Sequence, residues 1–408
     1  MEYIKRELER KFTKINAAFK AVMITGARQV GKTTMLMQLA RKEGRTFVTM
    51  DDMRNRELAR RDPRLFFQMY KPPVLIDEVQ KAPELFETMK MICDESEETG
   101  LFWMTGSEST RMLQEARESM AGRIGILRMY SLSQREKSGL ADLGMPDFDF
   151  SSLVERSRQF PKNDIVSVFG HIWHGGMPGT MSMDNEQLYA YYQSYIDTYL
   201  MRDATDDYGI HDTEGFYKAL RACAAFTGNL INYSDIARAA GVSTPTARQW
   251  VKALQNMGII YLLEPYYNNE LKRLIKTPKL YFLDTGLCAY LSMWTSRDVL
   301  MQGAASGHYF ENYVVGELLR GCSCSAEKAV LSFYRDTNQN EIDLILECSG
   351  ELHPLEIKQS TNPEHRAIKA FSLLDRSSVP VGTGGIICMT DTVFPIDEKN
   401  ALIPCNIL

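Results

Sequence analysis

The chain has 408 residues, 44% of them hydrophobic and 24% charged, and its formal net charge is −5. This is the composition of soluble globular protein divided into several domains, and it excludes a chain coated in basic surface, leaving local basic patches to decide any nucleic-acid binding. No apolar run approaches the ~18 residues of a membrane span, the charged N-terminus MEYIKRELERKF has no signal-peptide core, and the pair Cys322 and Cys324 lacks a second pair at zinc-ligand spacing. No membrane is expected, and the eight scattered cysteines read as reduced thiols of a cytoplasmic protein.

Residues 1 to about 20 form an amphipathic helix in this reading, with Ile4, Leu8, Phe12 and Ile15 recurring every three or four positions. An apolar strand, AVMIT at 21–25, then leads into GARQVGKTT at 26–34, and the spacing of Met35, Leu36 and Leu39 predicts a helix from Thr33. Strand, glycine-rich loop, Lys-Thr and helix are the context that the pattern G-x-x-x-x-G-K-[ST] requires. Gly26, Ala27, Arg28, Gln29, Val30, Gly31, Lys32, Thr33 and Thr34 are therefore expected to bind ATP. Backbone N–H groups at a helix N-terminus favour phosphate, Lys32 reaches the β- and γ-phosphates, and the Thr33 hydroxyl holds Mg²⁺.

The run VLIDE at 74–78 delivers two acids to the end of another strand. Asp77 is assigned to Mg²⁺ and Glu78 to the attacking water. A strand near 101–104 ends in Thr105-Gly-Ser107, where Ser107, or else Thr105, is placed to sense the γ-phosphate. Arg123, before a strand at about 124–129, is the candidate arginine finger for a neighbouring subunit, with Arg111 and Arg128 as competitors. Strands near 21–25, 46–50, 74–77, 102–106 and 125–130 alternate with helices, which predicts an α/β fold with a mostly parallel sheet and the nucleotide at its carboxyl edge.

From about 133 to 207 the pattern turns helical, with a tight turn at His174-Gly-Gly-Met-Pro-Gly179 and a tyrosine-rich helix whose rings belong to core and interface. This stretch is expected to be a helical lid, with Arg202 facing nucleotide. Residues 214–265 read as helix, turn at Gly241, second helix and closing strand, and a hairpin through 262–267 and 279–283 completes a winged helix. Ser234 is the expected cap of the first helix of the pair, and Ser243 or Thr244 of the second. Arg248 and Lys252 on that second helix, and Lys272, Arg273, Lys276 and Lys279 in the wing, make a basic surface for DNA. The competing reading is a winged helix used only for packing.

The last stretch begins with a helix, GHYFENYVVGELLR, carrying Glu311 and Glu317. A strand at about 332–335 follows, then EIDLIL with Asp343, a turn at Ser349-Gly350, and PLEIKQ with Glu356 and Lys358. Period-two alternation puts Glu356 and Lys358 on one face, with Asp343 opposite them across the hairpin. Such a group, with Glu311 as a further ligand, can hold Mg²⁺ and orient water toward a phosphodiester. A hairpin with solvated acids, or a once-active site that only binds nucleic acid, is the alternative.

GARQVGKTT, LIDEVQKAP, WMTGSES, AGR, GGMPG, the winged helix and the ExD…ExK ending together resemble a widespread bacterial and archaeal family. It joins an AAA+ ATPase domain to a C-terminal domain of unknown function of the restriction-endonuclease-like type. The resemblance spans nearly the whole chain, although GGMPG departs from the more usual GGYPE-like form. It implies an ATPase core at 1–132, a helical lid at 133–210, a winged helix at 211–295 and a nuclease-like α/β domain at 296–408. Asp343, Glu356 and Lys358 then match a nuclease-type D…(D/E)-x-K signature, similar to that of archaeal Holliday junction resolvases. The expected protein is an ATP- and Mg²⁺-dependent machine, a homo-oligomer or hexameric ring, that remodels or moves DNA, branched DNA by preference. The alternatives are an ATP-controlled DNA-binding switch whose C-terminal domain does not cut, and an ATPase acting on a protein partner.

Overall fold

The computed structural model describes residues 3–106, 110–160, 162, 164–266 and 276–408, and side chains at 110–113 are outside the description. Two compact units divide after Leu132: residues 1–132 with 256–258, and 133–255 with 259–408.

In the first unit the order is α1 (Leu8–Asn16), β1 (Ala21–Thr25), α2 (Lys32–Glu43), β2 (Thr46–Thr49), α3 (Met53–Arg61), α4 (Pro63–Met69) and β3 (Val74–Asp77). α5 (Leu85–Glu95), β4 (Phe102–Thr105), α6 (Thr110–Ser119) and β5 (Ile124–Arg128) complete it. The strands form one parallel sheet ordered β2-β3-β4-β1-β5. β1, β3 and β4 are buried along their whole length, so they read as continuous apolar runs rather than alternating ones. Helix α1 starts later than the apolar spacing suggested, because residues 3–6 are not helical, and it buries Leu8 and Phe12. Phe12 meets Trp103 edge to face, and the Trp103 indole donates to Asn16 at 2.6 Å.

The second unit opens with α7 (Gln134–Lys137), α8 (Phe150–Ser157), α9 (Ile165–His174) and α10 (Asn185–Tyr195). A π-helical turn, Ile196–Leu200, runs on into α11 (Met201–Tyr208). The sequence HGGMPG is a junction rather than a free loop. Gly175 has φ +80, and a Cβ there would stand 2.4 Å from Asp284 Oδ1, while the Gly176 N–H donates to Asp284 Oδ2 at 2.7 Å. Tyr192 is buried and donates to Asp284 at 2.8 Å, which accounts for part of the tyrosine stripe as core.

Next come α12 (Thr213–Ala225), β6 (Asn229–Leu230), α13 (Tyr233–Ala240), α14 (Thr244–Asn256), β7 (Ile260–Leu263) and β8 (Lys279–Phe282), with the strands in the order β6-β8-β7. Gly241 ends α13 in the left-handed conformation, and Ser243 Oγ accepts from the Thr246 N–H at the start of α14. The cap of α13 is Asn232, whose Oδ1 accepts from both Ser234 and Asp235 N–H groups. Ser234 is therefore inside the first turn, where its own N–H needs the cap that it was expected to supply.

The chain continues through α15 (Thr285–Leu291), α16 (Arg297–Gln302) and the long α17 (Ser306–Cys324) into a six-stranded mixed sheet. That sheet contains β9 (Val330–Arg335), β10 (Glu341–Cys348), β11 (Glu351–Lys358), β12 (Gly384–Cys388), β13 (Phe394–Pro395) and β14 (Asn400–Pro404), in the order β13-β14-β12-β11-β10-β9. β10 and β11 form a hairpin whose two turn residues, Ser349 and Gly350, both have positive φ, the backbone twist that two-residue hairpins need. All eight cysteines are free thiols. Among the described residues no helix is long and apolar enough to cross a membrane.

Candidate nucleotide site and carboxylate cluster

The loop between β1 and α2 is shaped by its glycines. Gly26 has φ +141 and lies so close to β5 that a Cβ would stand 2.1 Å from the Met129 carbonyl oxygen. Gly31 is left-handed at the start of α2, where no side chain caps the helix and no acid occupies the first turn. The N-terminus of α2 therefore suits an anion, and the dipole adds to its pull. Lys32 is buried, and its ammonium bridges the carbonyls of Gly26 and Ala27 at 2.9 and 2.8 Å, folded back into the loop it would leave for a phosphate. Beneath the loop, the buried Arg6 donates to the carbonyls of Val30 and Tyr130, both at 2.7 Å.

Asp77, at the end of β3, is the hub of the site. Its Oδ1 accepts from the hydroxyls of Thr33 and Thr105, each at 2.6 Å, and Thr49 approaches Oδ2 at 3.4 Å. Thr105 also accepts the Glu78 N–H at 3.0 Å, so one fully buried hydroxyl positions both acids. Glu78 is held at φ +55, a left-handed conformation that costs a non-glycine residue about 1–2 kcal/mol. Its carboxylate accepts from the Gln80 amide, whose own Oε1 is buried without a partner among the described residues. Polar loop, a helix N-terminus without a side-chain cap, lysine and the Thr33–Asp77 oxygens fit a nucleotide with its Mg²⁺.

The second group of acids lies in the other unit. Lys358 Nζ bridges Asp343 at 2.8 Å and Glu356 at 2.7 Å, and the Ile357 N–H donates to Asp343 at 3.0 Å. The register of β10 against β9 shifts between Ile342 and Ile345, an irregularity that spans Asp343. A further cation enters from β8: Lys279 Nζ is 2.7 Å from Glu341, 3.0 Å from Glu311 and 4.0 Å from Asp343. Glu311 also accepts the Tyr281 hydroxyl at 2.6 Å. Burial and the neighbouring Asp343 push Glu356 up to about 8, against the pull of the Lys358 ammonium. Asp343 stays below the usual carboxylate range despite its burial, because Lys358 and Lys279 stabilise its charge. Burial also raises Glu311, with Lys279 opposing it.

Comparison with known proteins places these units in families. Residues 18–138 match the AAA domain family, residues 167–298 a domain of unknown function (DUF8612), and residues 306–408 another domain of unknown function (DUF4143). The chain thus carries an AAA domain of P-loop ATPase fold at residues 18–138. It is 27% identical, over 389 residues, to the uncharacterized proteins Rv2008c of Mycobacterium tuberculosis and Mb2031c of Mycobacterium bovis, covering 94% of this chain and 80% of each relative. Among solved structures it resembles the Walker-type ATPase PABY2304 of Pyrococcus abyssi, with 14% identity, 71% of this chain and 96% of that one covered, and a TM-score of 0.44.

Within this AAA domain, the structure brings Lys32, Thr33, Asp77 and Glu78 to the carboxyl edge of one sheet. Ser107, Lys272 and Arg273 lie outside the described residues, as does the side chain of Arg111. Arg123 is at the opposite edge, where its carbonyl accepts the Ala21 N–H. Its guanidinium is engaged by both oxygens of Asp94 in the same subunit, at 2.5 and 3.0 Å. Arg128 stacks over Tyr130 at 5.0 Å, and Arg202, expected at nucleotide, lies over the Tyr199 ring at 5.7 Å. Arg248 and Lys252 are exposed on α14, and Arg248 packs over Tyr233 at 4.1 Å.

Two assignments need correction. Lys279 is not a wing residue free for DNA: it is 3% exposed and committed to carboxylates. Glu311, Asp343 and Glu356 are not gathered as metal ligands either, since among the described residues no trio of acid, histidine or cysteine side chains is placed to hold a metal. Lys358 bridges Asp343 and Glu356, and Lys279 lies near Glu311 and Asp343, so two ammonium groups compete with Mg²⁺ for the same oxygens. Sequence reasoning also missed Arg6 and Glu341 as members of these sites. Arg6 carries no motif, and Glu341 is recruited by the lysine that β8 delivers and by Arg335 on β9.

Proposed function

We propose that the protein hydrolyses ATP to remodel or translocate DNA, with branched DNA such as a Holliday junction as its substrate. The observation that carries hydrolysis is the Thr105 hydroxyl, which ties Asp77 and Glu78 together beside Thr33. Lys32 would leave the Gly26 and Ala27 carbonyls for the β- and γ-phosphates, and Thr33 and Asp77 would hold Mg²⁺. Bound Mg²⁺ supplies charge neutralisation on the phosphates. Glu78 orients the attacking water once Gln80 releases its carboxylate. Ser107 is the further candidate for sensing the γ-phosphate.

A homo-oligomer, in the form of a hexameric ring, follows from assigning Arg123 as a finger in trans; it must exchange Asp94 for a neighbour's nucleotide. For DNA, the order α12-β6-α13-α14-β7-β8 supports a winged helix, with Arg248 and Lys252 on the exposed face of α14 and Lys276 exposed ahead of β8; Lys272 and Arg273, the other basic residues expected to contact DNA, lie outside the described residues. Eight free thiols support a cytoplasmic setting. A second reading, an ATP-controlled DNA-binding switch whose C-terminal domain does not cut, is favoured by Lys279 among the carboxylates.

The test measures ATPase rate and DNA cleavage together, with Mg²⁺, on linear, forked and four-way DNA. Wild type runs beside Glu78→Gln and Asp343→Ala. Stimulation by one DNA shape, lost in Glu78→Gln, is the expected result. Absence of stimulation by any DNA refutes the reading and turns the search to a protein partner.

A further inference from the structure

The cation inside the C-terminal cluster comes from a strand that the rest of the fold holds in place. β8 is the central strand of its sheet, and Lys279 is paired with Leu230 on one side and Leu263 on the other. Asn312 of α17 clamps the far end of β8, exchanging hydrogen bonds of 2.8 Å with the Phe282 N–H and carbonyl. Just beyond β7, backbone bonds tie Tyr266 and Glu264 to Phe333 of β9, at 2.6 and 3.2 Å. The two sheets of this unit are thereby joined, and the Lys279 ammonium is delivered over the Phe333 ring at 5.5 Å.

Charge balance makes that delivery consequential. Four carboxylates, Glu311, Glu341, Asp343 and Glu356, face Lys279, Lys358 and Arg335, the last 3.3 Å from Glu341. Buried charges persist when they are paired and hydrogen-bonded, and here each acid has a cationic partner. A divalent cation would face the Lys279 ammonium across the same oxygens, where like-charge repulsion in a poorly solvated site opposes its entry.

We propose that Lys279 is the resident cation of this cluster, standing in for the divalent metal that a nuclease with this carboxylate pattern would bind, so that the C-terminal domain takes up no Mg²⁺ or Mn²⁺ and does not cut DNA. The inference rests on the second functional reading, but it is read out by metal binding rather than by ATPase or DNA affinity, so the two can fail separately. It also gives β8 a role in both halves of the unit, as the central strand of the small sheet and as the arm that neutralises the acids.

The experiment titrates Mn²⁺ into nucleotide-free full-length protein and follows free Mn²⁺ by electron paramagnetic resonance. Wild type, Asp343→Asn, Lys279→Met and the double variant Lys279→Met/Asp343→Asn are compared, with thermal melts at each Mn²⁺ concentration. The expected result is identical uptake by wild type and Asp343→Asn, and an additional ion in Lys279→Met that is lost in the double variant. Mn²⁺ should raise the melting temperature of Lys279→Met more than that of wild type. Lys279→Gln, which keeps a hydrogen-bonding head, serves if Lys279→Met does not fold. An ion bound by wild type and lost in Asp343→Asn overturns the proposal. So does a folded Lys279 variant that gains none.

Discussion

Replacing Thr105 with valine is the sharpest probe of the nucleotide site, because it removes two hydrogen bonds and almost no volume. The hydroxyl is fully buried, donates to Asp77 at 2.6 Å and accepts from the Glu78 N–H at 3.0 Å. A hydrogen bond to a charged group contributes about 1.5–3 kcal/mol and a neutral one about 1 kcal/mol. Asp77 keeps Thr33 as a donor, whereas the Glu78 N–H is orphaned at a residue already held at φ +55. Part of the loss falls on stability, and the part that falls on the placement of Glu78 lowers turnover. A misplacement worth about 1.4–2.7 kcal/mol lowers kcat about 10- to 100-fold. Nucleotide affinity should change by less than about threefold, since Lys32 and the loop are untouched. Steady-state ATPase assays beside titration of a fluorescent ATP analogue separate the two effects. Unchanged kcat in a folded Thr105→Val protein refutes the idea that this hydroxyl positions Glu78; weaker binding with unchanged kcat assigns it to the loop instead.

Arg6→Ala strips two 2.7 Å bonds from the Val30 and Tyr130 carbonyls, so the protein should lose about 2–4 kcal/mol of stability and bind ATP more weakly; melts and nucleotide titration check both. Arg248→Ala with Lys252→Ala should weaken DNA binding on every sequence and flatten its dependence on salt, measured by fluorescence anisotropy across a salt series; an unchanged slope argues for a packing role only. His171 is pushed down to about 4 by burial and by Lys137, from an ordinary 6.5. Its unfolded form therefore takes up a proton that the folded form refuses, and stability present above about pH 6.5 is lost as the pH falls toward 4, by at most about 3 kcal/mol. His171→Gln should flatten that limb of the stability profile in denaturant melts.

The sequence by itself determined what is local in the chain. The strand, glycine loop and helix around Lys32, and the acids after Val74-Leu-Ile76, follow from contiguous apolar runs and from backbone conformations that only certain residues accept. The hairpin through Ser349-Gly350 is legible for the same reason, and with it the meeting of Asp343, Glu356 and Lys358. Helix starts were less secure. α1 loses its first turn, and α13 takes its cap from Asn232 rather than Ser234, because neighbouring polar residues compete for the same few N–H groups.

Only the tertiary structure decided what those local pieces face. Arg6 reaches the P-loop from outside any motif. Thr105 becomes the link between Asp77 and Glu78 through the packing of β3 beside β4. Lys279 reads in sequence as one more basic residue of a wing, yet strand pairing turns it inward to carboxylates 32 to 64 residues away. Periodicity tells which face of a strand a side chain occupies. It does not tell which partner covers that face, and whether these acids meet a metal or a lysine is set by that partner.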